Sequence, residues 1–373
     1  MAFLFFGLGF VCAFLSTYLY FFIKRFCKVF AIGEENRRSK IIKLAISVAI
    51  SAVAVTFFGY GLVFILYMAL ADGVLSIIRL VLCKTLWKAK GEPKFSCRLI
   101  KSGISAILFS TLVIVFGIIN FHNVVKTEYT IYTDKNIRPE GYKVAFISDI
   151  HFGISLDLEE LSEVCNEISR EKPDIVILGG DIIDNSTNRE DIPPLFETLG
   201  KIESRYGVFY IFGNHDRSMA MVENALSDDE LVSAIENAGI VILKDKVQEI
   251  NDDFVLIGRE DRGFHNAKRE EIEKLLSEVR KDKFILTLDH QPTEFDKNRE
   301  AGTNLLISGH THGGQVWPVN IIDNIFKMNE ANYGYVKIGD NTSAIVSSGL
   351  AGWGFSVKTS APAEYVIVNI KKR

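Results

Sequence analysis

The feature that most constrains this chain is a series of long apolar runs confined to residues 1–121. A run of roughly 20 apolar residues spans a bilayer as a helix, because only a helix or a closed barrel satisfies its own backbone polar groups in lipid. The runs predict four spans, at about residues 3–23, 44–59, 62–82 and 103–121. The stretch 44–82 is too long for one span and right for two, and Gly59-Tyr60-Gly61 near its middle suits a tight hairpin. No basic residue precedes the first run, while Lys24, Arg25 and Lys28 follow it. That order points to an uncleaved span rather than a signal peptide.

Charge sets the expected topology. Segment 24–43 carries Lys24, Arg25, Lys28, Arg37, Arg38, Lys40 and Lys43 against Glu34 and Glu35; segment 83–101 carries six basic residues against Glu92. Both loops are expected in the cytoplasm. Everything after about residue 122, with His122 marking the membrane exit, is then expected on the extracytoplasmic face of the cell membrane. Asp72 and Arg79 fall in or near the third span. An intramembrane charge is either functional or, as here expected, paired within the bundle (Asp72) or snorkelled to the interface (Arg79).

Residues 122–373 read as an ordinary soluble mixture. The net charge of −4 argues against a nucleic-acid partner held by a basic surface. Of five cysteines, Cys12, Cys27, Cys83 and Cys97 lie in or beside the apolar third. Cys165 alone lies beyond, so that part holds no internal disulfide and, lacking CxxC, no cysteine zinc site. Residues 122–141 read as a linker. From 142 to 373 strands and helices alternate: strands at 143–148, 175–178, 208–212, 255–257, 284–288, 305–308, 344–347 and 365–370, and helices at 158–170, 193–205, 229–238 and 269–281. Such alternation gives an α/β fold with its sheet buried between helices.

Polar residues gather just after the strands, where α/β folds carry their functional groups. Five loops stand out: Asp149-Ile150-His151; Gly179-Gly180-Asp181-Ile182-Ile183-Asp184; Gly213-Asn214-His215-Asp216; Asp289-His290; and Gly309-His310-Thr311-His312-Gly313-Gly314. Residues two apart in extended chain share a side, so Asp149 and His151 can face one ion. A lone histidine after a strand is ordinarily structural, and a lone Gly-Asp is a turn. Five such loops, holding five of the chain's seven histidines, are not readily structural. Carboxylate and amide oxygens mixed with imidazoles suit Mn, Fe or Zn rather than calcium or a thiolate site.

The series DIH, GGDIID, GNHD, DH and GHTH over residues 142–373 resembles the calcineurin-like metallophosphoesterase superfamily, and the GHTHGGQ form resembles its bacterial membrane-associated branch. The resemblance implies a four-layer αββα sandwich with two metal ions at its rim, here preceded by the bundle of about four transmembrane helices. It implies that Asp149, His151 and His312 bind the first ion, that Asn214, His290 and His310 bind the second, and that Asp181 bridges both. A metal-bridging hydroxide then attacks phosphorus in a phosphate ester. His215 is implied to protonate the leaving oxygen, or only to hydrogen-bond a phosphate oxygen, with Asp184 orienting it.

Other positions stay open. Asp289 is either a partner to a ligand histidine or a turn residue; Arg217 can bind phosphate; His265 matches no ligand pattern and reads as surface. The apolar stretch after Gly314, through Trp317 and Ile321–Phe326, is a lid, a seat for an acyl chain, or core, and Trp353 lies in a further loop near the rim. Asn185 stands where protein phosphatases of the family carry arginine, which weakens that reading. The expectation is a membrane-anchored phosphodiesterase or phosphomonoesterase acting on a lipid or cell-envelope phosphoester. The alternatives are a nucleotide phosphodiesterase and a non-catalytic metal-binding membrane sensor.

Overall fold

The computed structural model describes residues 2–57, 59–85, 94–154, 156–185, 187–218, 227–263 and 268–373, and leaves aside the side chains of 2–7, 83, 94–97, 217 and 218. His265 and the Arg217 side chain, and with them their expected roles, lie outside the described residues. The chain forms two compact units, Met1–Gly117 and Ile118–Arg373.

The N-terminal unit is helical: α1 (Ala2–Val29), α2 (Arg37–Thr56), α3 (Tyr60–Lys84), α4 (Lys94–Ser102) and the start of α5 (Ile104–His122). Among the described residues four stretches are long and apolar enough to cross a membrane, Leu8–Val29, Arg37–Thr56, Tyr60–Leu82 and Ile104–His122. The first ends at Val29 and the second begins at Arg37, beyond the expected limits, because a helix runs on past its apolar stretch into polar flanks until a cap stops it. Asn36 does so for α2, accepting the N–H of Ser39 at 2.9 Å. Leu15, Leu19, Ala54, Leu62, Ile65, Met68 and Ala106 pack together inside the unit, while Phe10, Phe21, Ile77 and Leu112 point outward. An apolar exterior is what lipid solvates. Asp72 is buried and pairs with Arg25 of α1 at 2.6 Å, so the intramembrane carboxylate is neutralised by a partner.

The C-terminal unit holds two six-stranded sheets. Its strands are β1 (Val124–Thr133), β2 (Tyr142–Ile147), β3 (Ile175–Leu178), β4 (Val208–Tyr210), β5 (Val241–Ile242), β6 (Lys246–Glu249), β7 (Phe254–Gly258), β8 (Phe284–Leu288), β9 (Leu305–Ser308), β10 (Gly334–Lys337), β11 (Ser343–Val346) and β12 (Ala363–Lys372). One sheet runs β1-β12-β2-β3-β4-β5 and the other β10-β11-β9-β8-β7-β6. Between strands lie α6 (Leu158–Arg170), α7 (Ile192–Gly200), α8 (Asn214–Ser218), α9 (Asp228–Asn237), α10 (Ile272–Leu275), α11 (Phe295–Ala301) and α12 (Val319–Phe326).

Side-chain alternation along the strands builds the layers. Val144, Phe146 and Ile177 from one sheet meet Phe254, Leu256, Phe284, Leu286 and Ile307 from the other. Their neighbours Ala145, Ile147, Val176 and Leu178 turn outward onto Leu161, Cys165, Ile168, Leu195, Phe196 and Ile235 of the helices. On the far side Val255, Ile257 and Ile285 meet Ile272 and Leu276. The result is an αββα sandwich.

Two sequence expectations need correction. Residues 122–141 are not a plain linker, since β1 pairs in parallel with β12 over ten positions, from Val124↔Ala363 to Thr133↔Lys372. The alternation in Val-Val-Lys-Thr-Glu-Tyr-Thr-Ile-Tyr-Thr is that of an edge strand with one wet face. The helix expected at 269–281 is one turn, Ile272–Leu275. Arg269 is drawn aside by Asp289 and Glu294, and beyond Leu276 the bonds Ser277 N–H to Lys274 O and Val279 N–H to Leu276 O tighten to i→i−3. The apolar spacing survives the change of helix type.

Candidate metal centre

The ends of β2, β3, β4, β8 and β9 bring their loops together. Asp149, His151 and His312 place one side-chain ligand atom each within 4.8 Å of one another; Asp181, His290 and His310 form a second such group, and His151, Asp184 and His215 a third. Asp181 Oδ2 lies between the first two groups, 3.1 Å from His290 Nε2 and 3.9 Å from His151 Nε2. His312 Nε2 lies 3.8 Å from Asp149 Oδ1. Asn214 is buried beside them, and its Oδ1 has no hydrogen-bond partner among the described residues.

The backbone is bent to deliver these groups. Asp149, His151, Asp181, His310 and His312 all have left-handed φ, between 43° and 71°. Non-glycine residues rarely adopt that region, and such strain persists only where the surroundings enforce it. Glycines give the room. A Cβ on Gly213 would strike Asp181 Oδ1, and one on Gly309 would strike Asp149 Oδ2.

The donor set tests whether metal ions fit. His290 Nδ1 faces the Gly179 carbonyl at 2.8 Å, which fixes Nδ1 as the protonated nitrogen in the neutral ring. Nε2 then turns its lone pair toward Asp181 Oδ2 at 3.1 Å. Two acceptors at that range repel unless a cation lies between them. Burial opposes charge on His290, yet Asp181 outweighs it and holds the imidazole well above its ordinary range. Burial likewise opposes charge on Asp181, and the neighbouring His290 outweighs it, holding Asp181 low. His151 Nε2 also lacks a hydrogen-bond partner among the described residues. Burial and the neighbouring His290 push His310 down to about 4; burial and His151 push His312 lower than usual. Imidazole nitrogens gathered round a shared carboxylate and an orphaned amide oxygen suit two divalent ions.

His215 is half-buried, its ring centroid 4.9 Å from that of His151 and 5.7 Å from that of the exposed Trp353. Burial draws its pKa down, against the pull of Asp181. Asp184 sits with Oδ2 3.3 Å from His151 Nδ1 and within 4.8 Å of a ring nitrogen of His215. Asp289 is buried and pairs with Arg269 at 2.8 Å.

Three residues that hold the site carry little signal in the sequence. Asp216 accepts the backbone N–H groups of Asp181 and Gly213 on Oδ2, at 2.9 and 2.8 Å, and of Ile182 and Ile183 on Oδ1, at 3.0 and 3.1 Å. Burial and Asp181 push it up to about 6. Lys358 is fully buried and donates to the carbonyls of Ser348, Gly349 and Ala351, at 2.6, 3.2 and 3.1 Å. That loop supports Asp149, since Leu350 and Ala351 donate backbone N–H groups to Ser148 O and Asp149 O. Burial lowers Lys358 to about 7. Gln315 clamps the Trp353 loop: its Nε2 donates to Trp353 O and Phe355 O at 3.1 Å, and its Oε1 accepts Trp353 N–H at 2.9 Å. Of these Asp216 and Gln315 stand in the quoted motifs, GNHD and GHTHGGQ, and Lys358 in neither. Finally, Asn120, near the end of α5, donates to Lys358 O and Ala361 O, each at 2.9 Å.

A sequence profile of the family described as calcineurin-like phosphoesterase matches residues 142–314. The chain is similar to an uncharacterized metallophosphoesterase of Campylobacter jejuni, 29% identical over 273 residues that cover 72% of this chain and 69% of the relative. It is also similar to a transmembrane protein with metallophosphoesterase domain from Bos taurus, 24% identical over 330 residues, covering 84% and 72%. Among solved structures it is similar to a dimetal phosphatase from Danio rerio, with 14% identity and a TM-score of 0.43 over 63% of this chain and 94% of that one.

Proposed function

We propose, from the premise that residues 142–314 are a calcineurin-like phosphoesterase domain, that this membrane protein is a dinuclear-metal phosphoesterase acting on a lipid or cell-envelope phosphoester. The observation that carries the reading is Asp181 Oδ2 standing between two histidine groups. Asp149, His151 and His312 would hold one ion, Asn214, His290 and His310 the other, and Asp181 both. When bound, two first-row ions such as Mn, Fe or Zn lower the pKa of a water and offset charge on phosphoryl oxygens.

The chain's own groups do the rest. Asp184, which lies within reach of both His151 and His215, orients His215. His215 faces the leaving oxygen and donates a proton to it, or a hydrogen bond to a phosphate oxygen. The negative charge of a bound phosphoester opposes the burial that lowers His215 and favours its donating form. A site tethered to a bilayer meets lipid phosphates at high effective concentration. The basic loops between spans favour an extracytoplasmic catalytic domain. A second reading, a nucleotide phosphodiesterase, is favoured by the exposed Trp353 beside His215, which offers a face for base stacking.

The test is hydrolysis of bis-p-nitrophenyl phosphate and p-nitrophenyl phosphate by the full chain in detergent, with Mn²⁺, after EDTA, and in Asp181→Asn. Metal-dependent turnover lost in the variant supports the proposal, and the diester-to-monoester ratio narrows the substrate. Two bound metals without turnover of either ester would favour a sensor.

A further inference from the structure

Helix α12 is inside out. Its deeply buried side chain is a carboxylate, Asp323, 5% exposed, which accepts the N–H of Asn329 at 3.1 Å and a side-chain N–H from Asn332. Its large apolar side chains face outward: Ile321, Ile322, Ile325 and Phe326, joined by Trp317 before the helix and Met328 after it. Ile325, Phe326 and Met328 are 68%, 73% and 72% exposed. A water-facing helix shows the opposite pattern, and a contiguous apolar surface of this kind marks an interaction site.

What covers it is indicated by its connection to the end of α5. Asn120, two residues before the end of that candidate span, donates to Lys358 O and Ala361 O. Between those two carbonyls Thr359 Oγ1 accepts the N–H of Trp317, the first residue of the apolar patch, at 3.0 Å. A Cβ on Gly352 would meet both the Phe121 ring and the Gln315 side chain. The place where the chain leaves the bilayer and the start of the apolar patch are therefore bonded to one short loop. An amphipathic helix can lie with its apolar face in the headgroup–acyl boundary, where Trp is enriched.

We infer that α12 docks on the lipid surface, with Trp317, Ile321, Ile322, Ile325, Phe326 and Met328 inserted in the outer region of the membrane that holds α5. The Gly313-Gly314-Gln315 segment runs directly from the ligand loop of His310 and His312 into this helix. Docking therefore brings the metal-site rim to phosphate groups at the bilayer surface. The docking rests on α5 spanning the membrane and not on the phosphoesterase reading.

The test uses the full chain, with its five native cysteines replaced, reconstituted in phosphatidylcholine–phosphatidylglycerol vesicles and spin-labelled at Ile325→Cys or, as a control, at the fully exposed Asp340→Cys. Power saturation against oxygen and a water-soluble nickel chelate reads the depth of each label. The label at 325 is expected to be oxygen-accessible and nickel-shielded, about 5–10 Å into the boundary, and the label at 340 the reverse. Nickel access at 325 equal to that at 340 would overturn the docking; so would shielding from both agents, which would mean a protein partner or a second copy. Ile325→Asp with Phe326→Asp is expected to cut turnover of a vesicle-borne phosphoester at least tenfold and leave bis-p-nitrophenyl phosphate turnover unchanged. Absence of any turnover in the parent chain would sink the phosphoesterase reading alone, because label depth decides the docking by itself.

Discussion

The carboxylate of Asp216 accepts the backbone N–H of Asp181 at 2.9 Å, and the side chain of Asp181 in turn accepts the N–H of His215 at 2.7 Å. The two acids thus brace each other's loops, and Asp216 takes three further N–H groups. Asp216→Asn keeps the volume but turns an NH₂ toward two donors. We expect a loss of about 3 kcal/mol, the cost of leaving buried N–H groups unpaired beside a lost charge. Thermal unfolding will show it, and metal analysis will show a reduced stoichiometry.

His215→Ala separates its two proposed roles. A general acid matters most when the leaving group is poor. If His215 protonates the leaving oxygen, the variant should lose roughly 10²–10⁴-fold in kcat on alkyl esters and much less on p-nitrophenyl esters. An equal loss on both would indicate a phosphate contact instead. Asp181→Asn should lose both metals and all turnover.

Lys358→Met should leave the carbonyls of Ser348, Gly349 and Ala351 without their buried donor. We expect a destabilisation of about 2 kcal/mol or more. Metal affinity should fall as well, because Ala351 also bonds Asp149 and lies 3.4 Å from His312 Nδ1. Calorimetry and metal titration of the same sample check both.

Glu294 provides a pH signature away from the metal ligands. Burial would raise its pKa, but Arg269, Lys297 and Arg259 outweigh burial and hold it at about 2, below its ordinary 4.5. A depressed carboxyl contributes stability that is present above pH 4.5 and is lost as pH falls toward 2. The stability gap between the parent chain and Glu294→Gln should therefore be full at pH 7 and narrow steadily below pH 4.5. A gap independent of pH would show that the ion pairs are not its source.

Topology is tested by labelling in intact cells. In a background without native cysteines, Asp340→Cys should react with a membrane-impermeant maleimide, and Lys90→Cys should react only after lysis. The reverse pattern would invert the orientation.

Much of the site was legible because its chemistry sits at sharp transitions. Val144–Ile147 is wholly apolar and buried and then yields Ser148-Asp149-Ile150-His151; the same break follows Leu178, Phe212, Leu288 and Ser308. A residue that acts by long-range contact leaves no such edge. Lys358 looks like any surface lysine, and only the fold wraps three carbonyls round it. Asp216 was hidden by its neighbours Asn214 and His215, whose motif accounted for the loop without it. β1 was hidden by its polar residues, which belong to an edge strand's wet face. For α12 the apolar content was visible, but its outward direction was not, because composition does not record which side of a helix a buried Asp323 takes.

The clasp from Asn120 to the carbonyls of Lys358 and Ala361 puts the boundary of the C-terminal fold inside the last candidate span, for residues 118–122 group with the C-terminal unit. A protease that shed the C-terminal part after His122 would release a fold missing one of its own fastenings, directly behind the loop that supports Asp149. Grafting this fold onto a different anchor would fail for the same reason unless the last turn of the helix travelled with it.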